Sequence, residues 1–119
     1  MEKVNLNDKF ALFEDHWNPK VVGDLDDYEI KLVKLQGEFV GHKHNNEDEL
    51  FLVVGGNLDI EFRDRTINLS EGEFLIVPNG IEHKPHVWSE CNVMLFERRG
   101  VINTGDAGGE FTVKQPARI

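Results

Sequence analysis

Alternating hydrophobic and polar positions predict a series of short β-strands over most of this chain. From Tyr28 onward, apolar residues recur with the two-residue period of half-buried strands. The predicted strands are Glu29–Leu35, Glu49–Val54, Leu58–Phe62, Thr66–Leu69, Glu73–Val77, His83–Trp88 and Asn92–Glu97. Several short strands at fairly regular spacing are typical of an all-β sandwich or barrel.

Turn-forming residues separate these predicted strands. Gly55-Gly56-Asn57 is a favourable tight turn because glycine tolerates positive φ. Further turns are predicted at Arg63-Asp64-Arg65, Ser70-Glu71-Gly72 and Pro78-Asn79-Gly80.

The two ends of the chain depart from the strand pattern. Phe10, Phe13 and Trp17 recur at helical spacing after the candidate N-cap Asn7-Asp8, which predicts one short helix or turn closing an end of the barrel. Residues 101–119 are polar and glycine-rich, so we expect a tail or an arm that packs on a neighbouring subunit. The prediction is one domain over residues 1–119, with the barrel core at about 28–100.

Composition and charge exclude some classes of partner. The 119 residues are 39% hydrophobic and 29% charged, which suits one soluble globular domain. The net charge of −9 repels phosphate backbones and anionic lipids, so we expect neither nucleic acid nor membrane as a partner. No basic stretch followed by an apolar one marks a signal peptide, and a cytoplasmic location is expected.

The single cysteine, Cys91, cannot form an internal disulfide, which suits a reducing compartment. It stands at the start of a predicted strand. We therefore expect a buried structural thiol and not a nucleophile.

Histidine placement is the most informative chemical feature. His42 and His44 are two residues apart, so in an extended strand both imidazoles face the same side. Glu49 follows a polar, turn-prone stretch and His83 follows the Pro78-Asn79-Gly80 turn. Three imidazoles and one carboxylate suit Fe, Mn, Ni, Co or Zn better than Ca or Mg. In an octahedral shell they would leave two positions open for water or substrate.

A structural explanation of the same residues stays open at this point. The His42-Lys43-His44 pair could be two solvated side chains on an edge strand, Glu49 could be one more acid of an acidic run, and His83 could cap a turn. All of these residues stand at strand boundaries, where a barrel would gather them, and this favours the metal site.

Two spaced motifs resemble a known family. Gly37-x4-His42-x-His44-x4-Glu49-x6-Gly56 is similar to the first signature of the cupin superfamily, and Gly72-x5-Pro78-x-Gly80-x2-His83 is similar to the second. The chain has four residues before His42 where the family usually has five, with Gln36 at the usual glycine position. Val87 replaces an asparagine that often ends the second motif.

The resemblance implies a double-stranded β-helix, or jelly-roll barrel, with ligands on its inward face. It assigns His42, His44, Glu49 and His83 as ligands of one divalent transition metal ion, and it implies a homodimer. The short single-domain form is similar to mannose-6-phosphate-isomerase-like small cupins. That label often describes only the fold, so no sugar substrate is inferred from it.

Strand parity suggests residues that line a pocket around the metal. Phe51 and Val53 share the parity of Glu49 and should face the barrel interior. Further lining or core candidates are Ile60, Phe62, Phe74 and Ile76.

Four more polar or aromatic residues have open roles. His86 should face away from His83 and is either an acid or base of the pocket or a surface or dimer contact. Trp88 could stack on a ring-shaped ligand or anchor an interface. Lys34 and Glu97 stand in apolar strands, and we favour outward, solvated positions for both.

Three functional hypotheses fit these features. The first is a metal-dependent enzyme acting on a small metabolite by sugar isomerisation, dioxygen-dependent cleavage or lyase chemistry. The second is a non-catalytic module that binds a sugar or small acid. The third is a storage or scaffold role.

Overall fold

Seven antiparallel strands follow one short helix in the computed structural model, which describes residues 1–119. The elements are α1 (Leu6–Phe10), β1 (Lys20–Leu25), β2 (Tyr28–Glu38), β3 (Glu49–Gly55), β4 (Asn57–Glu61), β5 (Thr66–Ser70), β6 (Phe74–Val77) and β7 (Lys84–Arg98). The predicted all-β class is confirmed. The predicted turns lie at the strand ends because glycines at positions such as Gly56 and Gly72 adopt positive φ there.

The long strand β7 joins the two layers of the jelly roll. Five strands run in the order β1-β2-β7-β3-β6, while β4 pairs with β5 on one side and with the start of β7 on the other. The prediction of two separate strands, His83–Trp88 and Asn92–Glu97, is wrong, because both regions belong to the single strand β7. The polar stretch Ser89-Glu90 between the two predicted strands is exposed but extended. The neighbouring strands β2 and β3 shift register beside this stretch, which lets β7 continue through it.

The N-terminal segment packs on the outside of the sheet. Asn5, and not Asn7-Asp8, caps α1 by accepting a hydrogen bond from the Asp8 amide at 2.9 Å. Phe10 and Phe13 pack against Leu32, which has the parity opposite to the inward-facing Val33. The helix that was predicted to close an end of the barrel therefore packs on the outer face of the sheet. Trp17, which follows the helix, lies in the core. The single helix is neither long nor apolar enough to span a bilayer.

Strand β1 is an element that the hydrophobic pattern did not reveal. Its burial declines steadily along its length, so the alternation typical of a half-buried strand is absent. It forms the sheet edge by pairing with β2, from Lys20 opposite Leu32 to Leu25 opposite Tyr28.

The barrel interior holds the main hydrophobic core. Val33, Phe51, Val53, Ile60 and Leu95 belong to one buried cluster, which confirms the predicted inward positions of Phe51, Val53 and Ile60. Cys91 lies in the same cluster, and burial raises the pKa of its thiol to about 11, as expected of an inert structural cysteine.

Phe74 and Ile76 correct the predicted lining of the barrel. Their side chains are 60% and 49% exposed, because they pair with the outward residues Leu52 and Leu50 of β3. The inward residues of β6 are Leu75 and Val77 instead. Parity within so short a strand could not be assigned from sequence, since all four of its residues are apolar.

Residues 101–119 pack on the chain's own barrel. The Asn103 side chain donates to Phe111 O and accepts from Val113 N, both at 2.8 Å. Phe111 in turn contacts the stacked rings of Trp17 and Phe39. The segment therefore forms a cap over one mouth of the barrel and is not a free tail.

Candidate metal centre

The barrel geometry brings together residues that are far apart in sequence. A two-bond bridge fixes the first pair: His42 N donates to His83 O at 2.9 Å, and His83 N donates to His42 O at 2.8 Å. His44 follows two residues later, and the polar loop after it returns the chain to Glu49 at the start of β3. All four predicted ligand residues thus reach one point inside the barrel.

The donor atoms of His42, His44, Glu49 and His83 lie within 4.8 Å of one another, and all four residues are buried. Glu49 Oε1 stands 3.4 Å from the Nε2 atoms of both His44 and His83. This spacing is wider than a strong hydrogen bond and leaves room for an ion between the donors.

Backbone carbonyls fix two of the imidazole rings. His42 Nδ1 donates to Val40 O and His83 Nδ1 donates to Ile81 O, each at 2.9 Å. With the proton on Nδ1, the lone pair of each ring sits on Nε2, which faces the cluster. The Nε2 atoms of His42 and His44 are buried without a hydrogen-bond partner. Buried polar atoms are rarely left so, and a metal ion would satisfy both.

The electrostatics of the cluster favour the protonation states in which His42 and Glu49 can bind a metal, a neutral imidazole and a charged carboxylate. Burial lowers the pKa of His42 to about 4, so this ring is neutral at pH 7. Burial by itself would raise the pKa of Glu49, but the imidazoles of His44 and His83 that face it hold that pKa well below its usual range. Burial would also lower the pKa of His44, yet the Glu49 carboxylate raises it. A cation in place of that proton would make the same favourable interaction with Glu49.

A buried ion pair, formed by Lys31 and Glu97, lies next to the cluster. Glu97 is 1% exposed and Lys31 is 2% exposed, and Lys31 Nζ donates to Glu97 Oε1 at 2.9 Å. Burial and the charge of Glu49 raise the pKa of Glu97 well above its usual range, outweighing the opposite effect of Lys31. Lys31 therefore offsets part of the negative charge that Glu97 and Glu49 bring together beside the donor atoms.

The outward position favoured for Glu97 is therefore wrong. Its inward position follows from its parity, which it shares with the core residues Val93 and Leu95. Lys31 was not singled out, although it too shares the parity of inward-facing Val33. Lys34 does lie on the outer face, where its Nζ donates to Phe13 O at 2.7 Å.

The C-terminal cap is hydrogen-bonded to the backbone of Lys43, which lies between His42 and His44. Lys43 N donates to Asp106 Oδ1 at 3.0 Å, and Asp106 N donates to Lys43 O at 3.2 Å. Gly105 has a φ of +54°, and any Cβ there would collide with the Lys43 carbonyl oxygen. The glycine lets the cap approach the ligand loop this closely.

A cavity of about 30 Å³ adjoins the cluster. Its walls include His42, Glu49 and Phe51, with Trp17 and Asn103 toward the cap. By the usual measure this space holds roughly one or two water molecules in a mainly apolar surrounding.

The other predicted pocket residues lie away from this cavity. Val53 is a fully buried core residue, and Phe62 is partly buried against the core. His86 lies on the outer surface, facing away from His83 as predicted, and Trp88 beside it is 83% exposed. A role for His86 or Trp88 in the barrel pocket is thereby excluded by their position.

Comparison with known proteins gives the family. The family model for the cupin domain matches residues 31–97, a span that contains the whole candidate metal centre. The chain belongs to the cupin family. A cupin-2 domain-containing protein of Shewanella frigidimarina is 50% identical, with a TM-score of 0.80, over 81% of this cupin and 94% of that chain.

Two further proteins resemble this cupin, one in structure and one in sequence. The structure of protein NMB1881 from Neisseria meningitidis has a TM-score of 0.76 at 28% identity, covering 82% of this cupin and 99% of that chain. The uncharacterized protein YdbB of Bacillus subtilis is 34% identical over 64 residues, which are 53% of this cupin and 57% of YdbB. The matched region thus spans little more than half of that relative.

Proposed function

We propose that this cupin is a metal-dependent enzyme that acts on a small metabolite. The observation that carries the proposal is the buried convergence of His42, His44, Glu49 and His83, in which the Nε2 atoms of His42 and His44 make no hydrogen bond. A purely structural cluster would satisfy these atoms with hydrogen bonds.

The donor set favours one divalent ion of Fe, Mn, Ni, Co or Zn, because imidazole nitrogen suits these metals better than Ca or Mg. When bound, such an ion supplies Lewis-acid or redox chemistry. The protein residues hold the four donors in place, keep His42 neutral by burial and exclude bulk water with an apolar wall.

The surroundings of the site favour a small, polar metabolite. The interior cavity is only about 30 Å³, but a cleft of about 240 Å³ lies between the loop at 43–47 and the cap at 100–106. His44 lies at this cleft together with Lys43, Asn45, Glu47 and Asp106. We propose that the cleft is the route by which a sugar or small acid approaches the metal centre.

A non-catalytic binding module is the second candidate function. Among the residues that line the interior cavity, only the metal ligands His42 and Glu49 are titratable. A general acid or base beside the substrate would have to come from a metal ligand or from the cleft, and this favours binding without turnover.

A reconstitution experiment separates the two functions. Protein stripped with a chelator is reloaded with each candidate metal and tested for oxygen uptake, sugar isomerisation and lyase activity on a panel of small sugars and acids. An enzyme shows turnover that His44→Ala loses. Saturable binding without turnover supports the module, and protein that takes up none of the five metals contradicts both metal-based proposals.

We also propose that the chain forms a homodimer through the outer side of its five-stranded sheet. Cross-strand pairs place apolar side chains side by side on this surface, since Leu52 lies between Phe74 and Met94, and Leu50 lies between Ile76 and Phe96. We call these six residues the outer apolar face. Phe74 and Ile76 are exposed at this face, and the cores of dimer interfaces are rich in apolar side chains of this kind.

Phe74→Glu is expected to shift the protein toward monomers, raising the dimer dissociation constant at least tenfold, because a buried carboxylate would lack a partner. Sedimentation velocity over a concentration series measures this. Trp88→Glu, which changes an exposed aromatic outside this face, is the matched control. A wild-type monomer at high concentration, or equal effects of both variants, would contradict the proposed interface.

A further inference from the structure

We propose that this cupin has a second ligand site on its outer surface, which binds a neutral saccharide ring. The site is a groove of about 280 Å³ over strands β4, β5 and the first half of β7. We call it the outer groove, and its principal side chains are Asn57, Asp59, Asn68, His86, Trp88 and Glu90. It lies on the opposite side of the barrel wall from the metal centre.

Trp88 provides an aromatic surface at the groove. Its side chain is 83% exposed, although tryptophan is highly buried on average. The His86 ring contacts it edge-on, with centroids 4.7 Å apart and planes inclined by 63°. A contact of this kind restrains the indole while leaving ring surface open. An aromatic face with a polar edge suits the apolar C–H face of a pyranose.

Polar groups beside Trp88 form an ordered row. In the register of the sheet, Asp59 lies directly between Asn68 on β5 and His86 on β7. Asn68 Nδ2 donates to Asp59 Oδ1 at 2.8 Å, which fixes both side chains and leaves Asp59 Oδ2 as a further acceptor. His86 makes no side-chain hydrogen bond within the chain, so its ring nitrogens remain available to a ligand.

The far side of the groove is also fixed. His16 Nε2 lies 2.7 Å from Glu90 Oε2, so this carboxylate is held while Oε1 stays free. Asn57 Oδ1 accepts from Ser70 Oγ at 3.0 Å, which leaves the Asn57 amide as a donor. Fixed donors and acceptors around an aromatic ring can bind several hydroxyl groups at once.

The charge of the groove selects the class of saccharide. Two carboxylates, Asp59 and Glu90, line it, and neither Lys nor Arg does. A phosphorylated or uronic acid sugar would meet negative charge without compensation, which disfavours its binding. The volume is close to the roughly 300 Å³ of small ligand pockets, so one ring of a neutral sugar is the expected occupant.

Binding of cellobiose to the full-length protein tests the proposal, with the two indole N–H signals followed by NMR. Trp17 is buried against Phe39 and Phe111, so the two tryptophans report separately. We expect cellobiose to shift the Trp88 signal and leave that of Trp17 unchanged. Glucose 6-phosphate and glucuronate should bind at least tenfold more weakly than cellobiose.

Variants separate this site from the metal centre. By calorimetry, Trp88→Ala should weaken cellobiose binding about tenfold or more, since stacking is lost, and Trp88→Phe should retain most of it. Phe74→Ala, at an exposed aromatic on the outer apolar face, and His44→Ala should bind as the wild type does. An unresponsive Trp88 signal, equal affinity in Trp88→Ala, or glucuronate binding as tight as that of cellobiose would overturn the proposal.

Discussion

His44→Ala is expected to lose most of the metal bound by the wild-type protein while the barrel remains folded. The variant removes one of four converging donors, and changes of residues that merely orient a ligand already cost roughly tenfold or more in metal affinity. Removing a donor itself should cost at least as much. Elemental analysis after metal loading, with calorimetric titration of the chelated protein, measures the effect.

His86→Ala is the matched control, because it removes an imidazole from the outer surface of the same barrel. It should retain the wild-type metal content. Circular dichroism should show the same β-structure in both variants, since His44 lies in a loop and contributes little to the core. Wild-type metal content in His44→Ala would show that the four side chains do not act as one ligand set.

Lys31→Met is expected to destabilise the metal-free protein by about 3 kcal/mol, which is the lower end of the range for breaking a buried ion pair. The substitution leaves Glu97 beside Glu49 without the cation that offsets their charge. Protonation of Glu97 softens the loss. Urea unfolding at pH 7, with the free energy of unfolding extrapolated to water, measures it.

A double-mutant cycle identifies the ion pair as the cause. Lys31→Met combined with Glu97→Gln removes both partners, so the double variant should recover much of the stability lost in Lys31→Met. Additive losses from the two substitutions, or a loss below about 1 kcal/mol in Lys31→Met, would mean that the pair contributes little.

The metal centre was predictable because its residues stand at recognisable positions. The His42-Lys43-His44 spacing, the turn before Glu49 and the turn before His83 each mark a strand boundary. Their mutual approach depends only on the closure of the barrel, and the two spaced motifs indicated that closure. The fixed Nδ1 atoms were not predictable, since they depend on carbonyls of local loops, Val40 O and Ile81 O.

The remaining site features depend on how segments pack. The cap over Lys43 comes from residues with little hydrophobic pattern, and its hydrogen bonds involve backbone atoms and Asp106. Lys31 and Glu97 look like solvated charges in a sequence, because burial is expensive for each one alone. They become acceptable inside the barrel only because β2 and β7 are neighbours and place them 2.9 Å apart.

The sequence by itself determined the all-β class, most strand positions and the turns, because these follow from local period and turn chemistry. It also indicated the four candidate metal ligands, through the two spaced motifs that resemble the family signatures. Only the tertiary structure decided which way β6 faces, that β7 is one strand, and that residues 101–119 cover the barrel. A strand of four apolar residues can turn either set of side chains inward. A polar segment is positioned only by hydrogen bonds with residues distant in the chain. Such long-range pairing is invisible to any local pattern.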